Sequence, residues 1–240
     1  MTKSFWKKIS DENLLETKIC DLKLSINKTY LKTCIQKLYK ELKSKRIIFR
    51  PPCFLADEWF VPESDTLIGI PFYLAHPRLN KIEMKMMKEV EGGHPSECLK
   101  LLRHEAGHAL FYAYAIHRKK EFHQIFGKLF SPRKNFRPNP HNKNFVKHLP
   151  DNYAQTDRDE DFAETFAVWL TPKSNWKKIY KNSGALKKLE FIDKFFDSVA
   201  NKKPVRISNK PYCEAKKLRI KLKTYYRLRN KRDGDHKKQL

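Results

Sequence analysis

The chain has 240 residues, a formal net charge of +24, and 40% hydrophobic, 12% aromatic and 32% charged residues, enough apolar material for a packed core. No run approaches the roughly 18 apolar residues of a membrane span, and the N-terminus lacks the apolar centre of a secretory signal. The five cysteines are scattered without a CxxC pair, so they point to neither a zinc ribbon nor a disulfide framework, and a cytoplasmic protein with idle thiols is expected.

The charge is concentrated at the ends. Residues 1–50 carry 13 Lys+Arg against 5 Asp+Glu, and residues 201–240 carry 15 against 3. In the first of these segments Leu31, Ile35, Leu38 and Leu42 recur at helical spacing, and Arg50-Pro51-Pro52 closes the stretch. Trp59-Phe60-Val61 and Leu67–Leu74 are short apolar runs that read as strands. Leu79–Val90 reads as a helix stopped by Gly92-Gly93. Ser96 is placed to cap a helix running to about Lys119, and Glu121–Phe130 forms a further short one. Ser131–Asp151 has four prolines and no period, the pattern of a long loop of functional kind. Thr156 or Asp157 caps a helix over Arg158–Leu170, which Thr171-Pro172 ends. An amphipathic helix covers about Ala185–Ala200. From Asn201 the chain reads as a basic tail with little to bury.

The segment Arg103-His104-Glu105-Ala106-Gly107-His108 places HExxH inside a predicted helix. Residues four apart share a face, so both imidazoles reach one ion. Zinc accepts two neutral imidazoles and a carboxylate while keeping a fourth position for water, and Glu105 is then positioned to take that water's proton. The apolar flanks Leu101, Leu102, Ala109, Leu110 and Phe111 bury this helix, and buried histidines need a partner. Phe111 and Tyr114 stand where a metzincin has glycine and a third histidine, and Tyr112 stands where HExxHxxxH requires one. A glutamate on a later helix remains, and Asp157–Leu170 supplies both Glu160 and Glu164. One of the two as ligand, with the other accepting a ligand histidine's N–H, satisfies both carboxylates.

HEAGH, Tyr153-Ala154-Gln155 and the run DEDFAETFAVWL from Asp159, together with PFYLAHP from Pro71 and ALKKLE from Ala185, resemble a bacterial family of zinc-binding metallopeptidases in the gluzincin clan. The resemblance spans roughly residues 55 to 200. The second helix is also similar to the catalytic domain of anthrax lethal factor. Carried over, these likenesses imply Glu160 as the third metal ligand, Glu164 as the glutamate behind a ligand histidine, and Tyr153 as the hydroxyl facing the reacting carbonyl. His148 and His141, in the same loop, are the alternatives for that last role.

The expected fold is α+β: a gluzincin-like core of a small antiparallel sheet and two metal-bearing helices, flanked by extra helices. Its parts are a basic helical N-terminal subdomain at 1–53, a zinc metallopeptidase domain at 54–200 and a basic C-terminal tail at 201–240. The expected cofactor is one Zn2+ per chain, and the expected reaction is hydrolysis of peptide bonds in a peptide or protein substrate. Leu67–Leu74 is the candidate edge strand for that substrate. The basic ends suit nucleic acid or another polyanion. Two other readings follow from them: a non-catalytic zinc-containing polyanion-binding protein, and a peptidase recruited to nucleic acid.

Overall fold

The computed structural model describes residues 5–127, 137–208 and 210–237, with side chains as far as 232. Helix α1 (Asp11–Leu15) starts at Ser10, whose hydroxyl accepts from the Asn13 N–H. Helix α2 (Tyr30–Ser44) buries Leu31, Ile35, Leu38 and Leu42, the stripe anticipated from their spacing. It ends before Arg50-Pro51-Pro52, because Arg46 turns left-handed at φ 58°.

Strands β1 (Cys53–Ala56) and β2 (Ile68–Pro71) pair in parallel, from Cys53 opposite Ile68 to Ala56 opposite Pro71. The expected antiparallel sheet is therefore corrected. The connection between the strands does not fold back as a hairpin. It crosses so that Phe60 bridges antiparallel to Gly69, on the edge of β2 that β1 leaves open. β2 is buried throughout and flanked on both edges, so Leu67–Leu74 is not a free edge for a substrate. A Cβ at Gly69 would lie 2.8 Å from the Phe60 ring, so glycine is what lets the two chains approach. After Pro71 the expected strand turns into a 3-10 segment, Phe72–Ala75.

Helix α3 (Pro77–Met87) is capped by His76, whose Nδ1 accepts from the Arg78 N–H at 3.1 Å. Helix α4 (Pro95–Ala113) is capped by His94 in the same way, two residues before the expected Ser96. It ends at Tyr114 instead of near Lys119, because Ala115 adopts a left-handed φ of 51° and a 3-10 turn, Ile116–Arg118, follows. Helix α5 (Lys120–Phe126) stops at Gly127, φ 93°. The expected continuation of α5 to Phe130, and positions 131–136 of the predicted loop, lie outside the described residues. Helix α6 (Arg158–Leu170) has the expected bounds, with Asp157 as its cap. A short α7 (Trp176–Ile179) precedes α8 (Gly184–Ser198), and α9 (Leu222–Lys237) is the last element among the described residues.

The core is organised by α4, which is buried all round from Leu101 to Ala113, as a helix at the centre of a domain must be. Its closest partner is α6. A Cβ at Gly107 would sit 2.8 Å from the Ala163 Cα and 3.1 Å from its carbonyl oxygen, so only glycine lets the two backbones cross this closely. On the other side α2 holds α4 through Arg103, whose Nε and Nη2 donate to both Glu41 oxygens at 2.8 and 2.7 Å in a buried fork. α8 anchors α6 through Lys188, which donates to Asp161 Oδ2 and to the Asn144 carbonyl, both at 2.7 Å.

Residues from the C-terminal segment belong to the same core. Leu222, Tyr225 and Tyr226 of α9 are buried within one apolar cluster that also contains Trp6, Leu38 and Phe162. The Arg229 guanidinium pairs with the buried Glu83 at 2.6 Å. Thr17–Cys20 and Leu218–Leu222 zip together through backbone hydrogen bonds, with Lys18 bridging antiparallel to Lys221. The reading of residues from Asn201 onward as a segment with little to bury is thus corrected. Among the described residues no helix is long and apolar enough to cross a membrane.

Candidate metal centre

α4 brings four polar side chains, Arg103, His104, Glu105 and His108, into a buried environment. Arg103 is satisfied by Glu41, and α6 answers the rest. The N-terminal half of α6 crosses α4 at Gly107, which places Asp159, Glu160 and Glu164 against the two histidines.

His104, His108 and Glu160 form a group that can hold a metal ion. His104 Nε2 lies 3.1 Å from His108 Nε2, and Glu160 Oε2 lies 3.1 Å from the first and 3.3 Å from the second. Metal–ligand bonds of about 2.0–2.1 Å in a tetrahedron set its edges at about 3.3–3.4 Å, so the three donors sit close to the face such an ion requires. Two unprotonated imidazole nitrogens 3.1 Å apart have no attraction for each other, and a shared cation supplies it. The donor chemistry, two imidazoles and one carboxylate, fits zinc.

The groups behind the donors fix their orientation. His104 Nδ1 is 2.9 Å from Glu164 Oε1, while Glu164 Oε2 accepts the Leu149 N–H at 2.8 Å. His108 Nδ1 is 3.3 Å from Asp159 Oδ1, and Tyr112 donates to Asp159 Oδ2 at 3.2 Å. Each imidazole thus has a carboxylate at Nδ1, which leaves Nε2 for the ion. Glu164, singled out by the resemblance, lies against His104. Asp159 carries no such mark in the sequence, since an acid in the first turn of a helix already suits the helix dipole. The signal that would have found its role is Tyr112, one turn after His108 on the same face of α4.

Glu105 lines the same cleft, and its buried Oε2 has no hydrogen-bond partner among the described residues. Burial raises its pKa, against the lowering pull of His104 and His108. Tyr153 is reached through an unusual backbone: Asp151 and Asn152 both have positive φ, 58° and 55°. That excursion sets the Tyr153 ring 5.7 Å from His104, with the hydroxyl 3.5 Å from Glu160 Oε1. The ring is 39% exposed, on the open side of the site. The two histidine alternatives are elsewhere: His148 Nε2 is 3.0 Å from the Lys100 carbonyl, and His141 is exposed on the loop.

The site opens into a cleft of about 1090 Å³. Its far rim is Trp59-Phe60-Val61, with Glu63 and Ser64, and its end near Tyr112 carries His117 and His123. None of these rim residues was singled out from the sequence as part of the site, since short loops carry no periodic signal.

Without an ion, protons take its place. Burial alone would lower His104, but Glu160 and Glu164 outweigh it and raise it to about 9. His108 is raised well above its ordinary value by Asp159 and Glu160, again against burial. Burial alone would raise Glu160, but the bonds from His104 and His108 hold it well below the carboxylate range. The folded-state pKa of His104 lies above the ordinary 6.5, so its stabilisation of the metal-free protein is complete below 6.5 and lost as pH rises through about 9. Metal must displace those protons, so its affinity rises over the same window. The expected result is a melting midpoint of the metal-free protein that falls across this range while metal affinity climbs. A midpoint flat across the window would contradict the assignment.

Glu160→Gln is expected to weaken metal binding most. Glu164→Gln and Asp159→Asn, which leave the donors in place but loosen them, cost about 10–100-fold. Competition against a chromophoric chelator measures all three. Wild-type affinity in Glu160→Gln would remove Glu160 from the ligand set.

Compared with protein-family models, curated proteins and solved structures, the chain matches none.

Proposed function

We propose that this chain is a zinc-dependent metallopeptidase of the gluzincin type, with His104, His108 and Glu160 as ligands of one zinc ion. The observation that carries the reading is the juxtaposition of that ligand triad with a buried, unpartnered carboxylate oxygen on Glu105, both on the wall of one open cleft. A purely structural metal site has no use for such a base. The family resemblance in HEAGH and in the α6 sequence supports the same reading.

A bound zinc ion would supply Lewis acidity, polarising a carbonyl and making water more acidic. Glu105 then takes the proton of the attacking water and passes it to the leaving amine. Burial raises the pKa of Glu105, which suits a group that must both accept and return a proton. The Tyr153 hydroxyl donates to the carbonyl oxygen as negative charge develops there. The Asp159 and Glu164 carboxylates keep the imidazoles oriented throughout.

The substrate follows from the cleft. Phe60 spends its pairing on Gly69, so the peptide groups of Trp59 and Val61 face the opposite edge, available to an extended chain. This edge, rather than Leu67–Leu74, is where a peptide lies beside the site.

Mass-spectrometric analysis of a peptide library incubated with zinc-loaded protein tests the proposal. Discrete internal cleavages are expected, lost with a chelator and restored by zinc. No cleavage by loaded protein, or cleavage indifferent to chelation, would overturn it.

A further inference from the structure

Residues 202–208 and 210–221 form an irregular strap that passes the rim of the cleft at Phe60. The Val205 and Arg206 N–H groups both donate to the Ala113 carbonyl at the end of α4, at 2.8 and 3.1 Å. The Ser208 N–H donates to Thr66 Oγ1 at 2.8 Å. The Tyr212 ring stands edge-on to Phe60, on the cleft rim, with centroids 6.3 Å apart. The strap then joins the N-terminal segment at the Lys18–Lys221 bridge.

The strap carries eight exposed Lys and Arg residues against a single acid, Glu214. It also holds Val205, Ile207 and Tyr212, which are 78%, 63% and 65% exposed, with Ile220 at 38%. Lys18 and Lys221 are a directly opposed pair. The bonds from Ile19 N–H to the Ile220 carbonyl and from Leu222 N–H to the Thr17 carbonyl flank them, which makes theirs the closer, non-bonded kind of pairing. Like charges so placed repel unless an anion lies over them. Glu16 reaches Lys221 at 2.8 Å, but Lys18 has no ion pair among the described residues.

We propose that this strap, with Lys18, is a docking surface for an anionic lipid bilayer. The cations alone would serve any polyanion. The exposed aliphatic side chains between them decide the class: a phosphate backbone offers nothing to bury Val205 and Ile207, whereas the boundary between headgroups and acyl chains takes apolar side chains and cations together. Tyr212 suits the same boundary, with an apolar ring and a polar tip. The contact is peripheral. It depends on neither the metal nor the peptidase reading.

The experiment is co-sedimentation of the full chain with vesicles of phosphatidylcholine alone or mixed with phosphatidylglycerol, across a salt series. Binding is expected only to the anionic vesicles, weakening as salt rises. Lys203, Arg206, Lys210 and Arg219 form no ion pair among the described residues. Each cation near an anionic surface contributes about fivefold, so changing these four to Gln lowers partitioning by about several hundredfold. Val205→Ser with Ile207→Ser lowers it about tenfold or more, with the salt dependence retained. All six side chains are exposed, so melting midpoints should match the wild type, and the wild-type salt series needs no variant. Equal binding to neutral and anionic vesicles, or none to either, overturns the proposal. So does full vesicle binding by the Val205/Ile207 variant together with tight binding of a single-stranded oligonucleotide, which would make the strap a nucleic-acid track.

Discussion

Glu105→Gln yields a folded, metal-loaded protein whose peptide turnover falls by at least about 10²–10⁴-fold, the usual worth of a general base. The amide has the same shape as the carboxylate but cannot accept a proton. His104, His108 and Glu160 are untouched, so metal content stays at the wild-type level. Stability moves the other way. Glu105 is a buried acid whose Oε2 has no hydrogen-bond partner, and replacing a desolvated charge with a neutral group removes a cost. The melting midpoint of the variant is therefore expected at or above that of the wild type. Turnover, metal content and melting, measured on one preparation, separate the possibilities. Wild-type turnover would remove Glu105 from the role of base. Lost activity with lost metal would show that it supports the site rather than the reaction.

The second large effect is expected at a distance from the cleft. Deleting residues 222–240 should abolish the cooperative fold and, with it, metal binding and turnover. Leu222, Tyr225 and Tyr226 are buried in the common core, and burying each such side chain is worth about 1.5–3 kcal/mol. Their sum is comparable with the whole stability of a typical domain, about 5–15 kcal/mol. The deletion also strips Arg229 from Glu83, leaving a buried carboxylate without that cation. It uncovers Phe72 as well, whose ring lies 5.1 Å from Tyr225. Reading 201–240 as a basic tail predicts the opposite, a truncated enzyme that works normally on a short neutral peptide. Circular-dichroism melting of the truncated chain decides between them: an unchanged midpoint would make α9 dispensable.

That reversal shows where the sequence was legible. The stripe on α2, the HExxH face of α4 and both ends of α6 could be read because period and capping agree there: Asp157 opens α6 and Thr171-Pro172 closes it. The two histidines of the candidate site followed from chemistry, since buried histidines one turn apart demand a partner, whereas Glu160 was set apart from Glu164 only by the family resemblance. α9 has an equally regular inward stripe, the buried Leu222, Tyr225 and Tyr226 and the half-buried Arg229, but Lys and Arg crowd the same stretch and composition masks the period. The sheet was beyond reach for another reason. Four-residue strands carry no period of their own, and whether they pair in parallel is decided by the path of the chain between them, here by Phe60 crossing to Gly69. Asp159 was hidden because an acid in a first helical turn already has an adequate explanation in the helix dipole.

One zinc ion on His104, His108 and Glu160 is proposed to make this chain a peptidase. Metal-free protein titrated with zinc, while turnover of one cleaved peptide is followed, tests it most directly. Turnover should start near zero, rise in proportion to added zinc, and break at one equivalent per chain, with Glu160→Gln showing no such break. Turnover indifferent to zinc, or absent at every ratio from protein that binds one ion, would contradict this function.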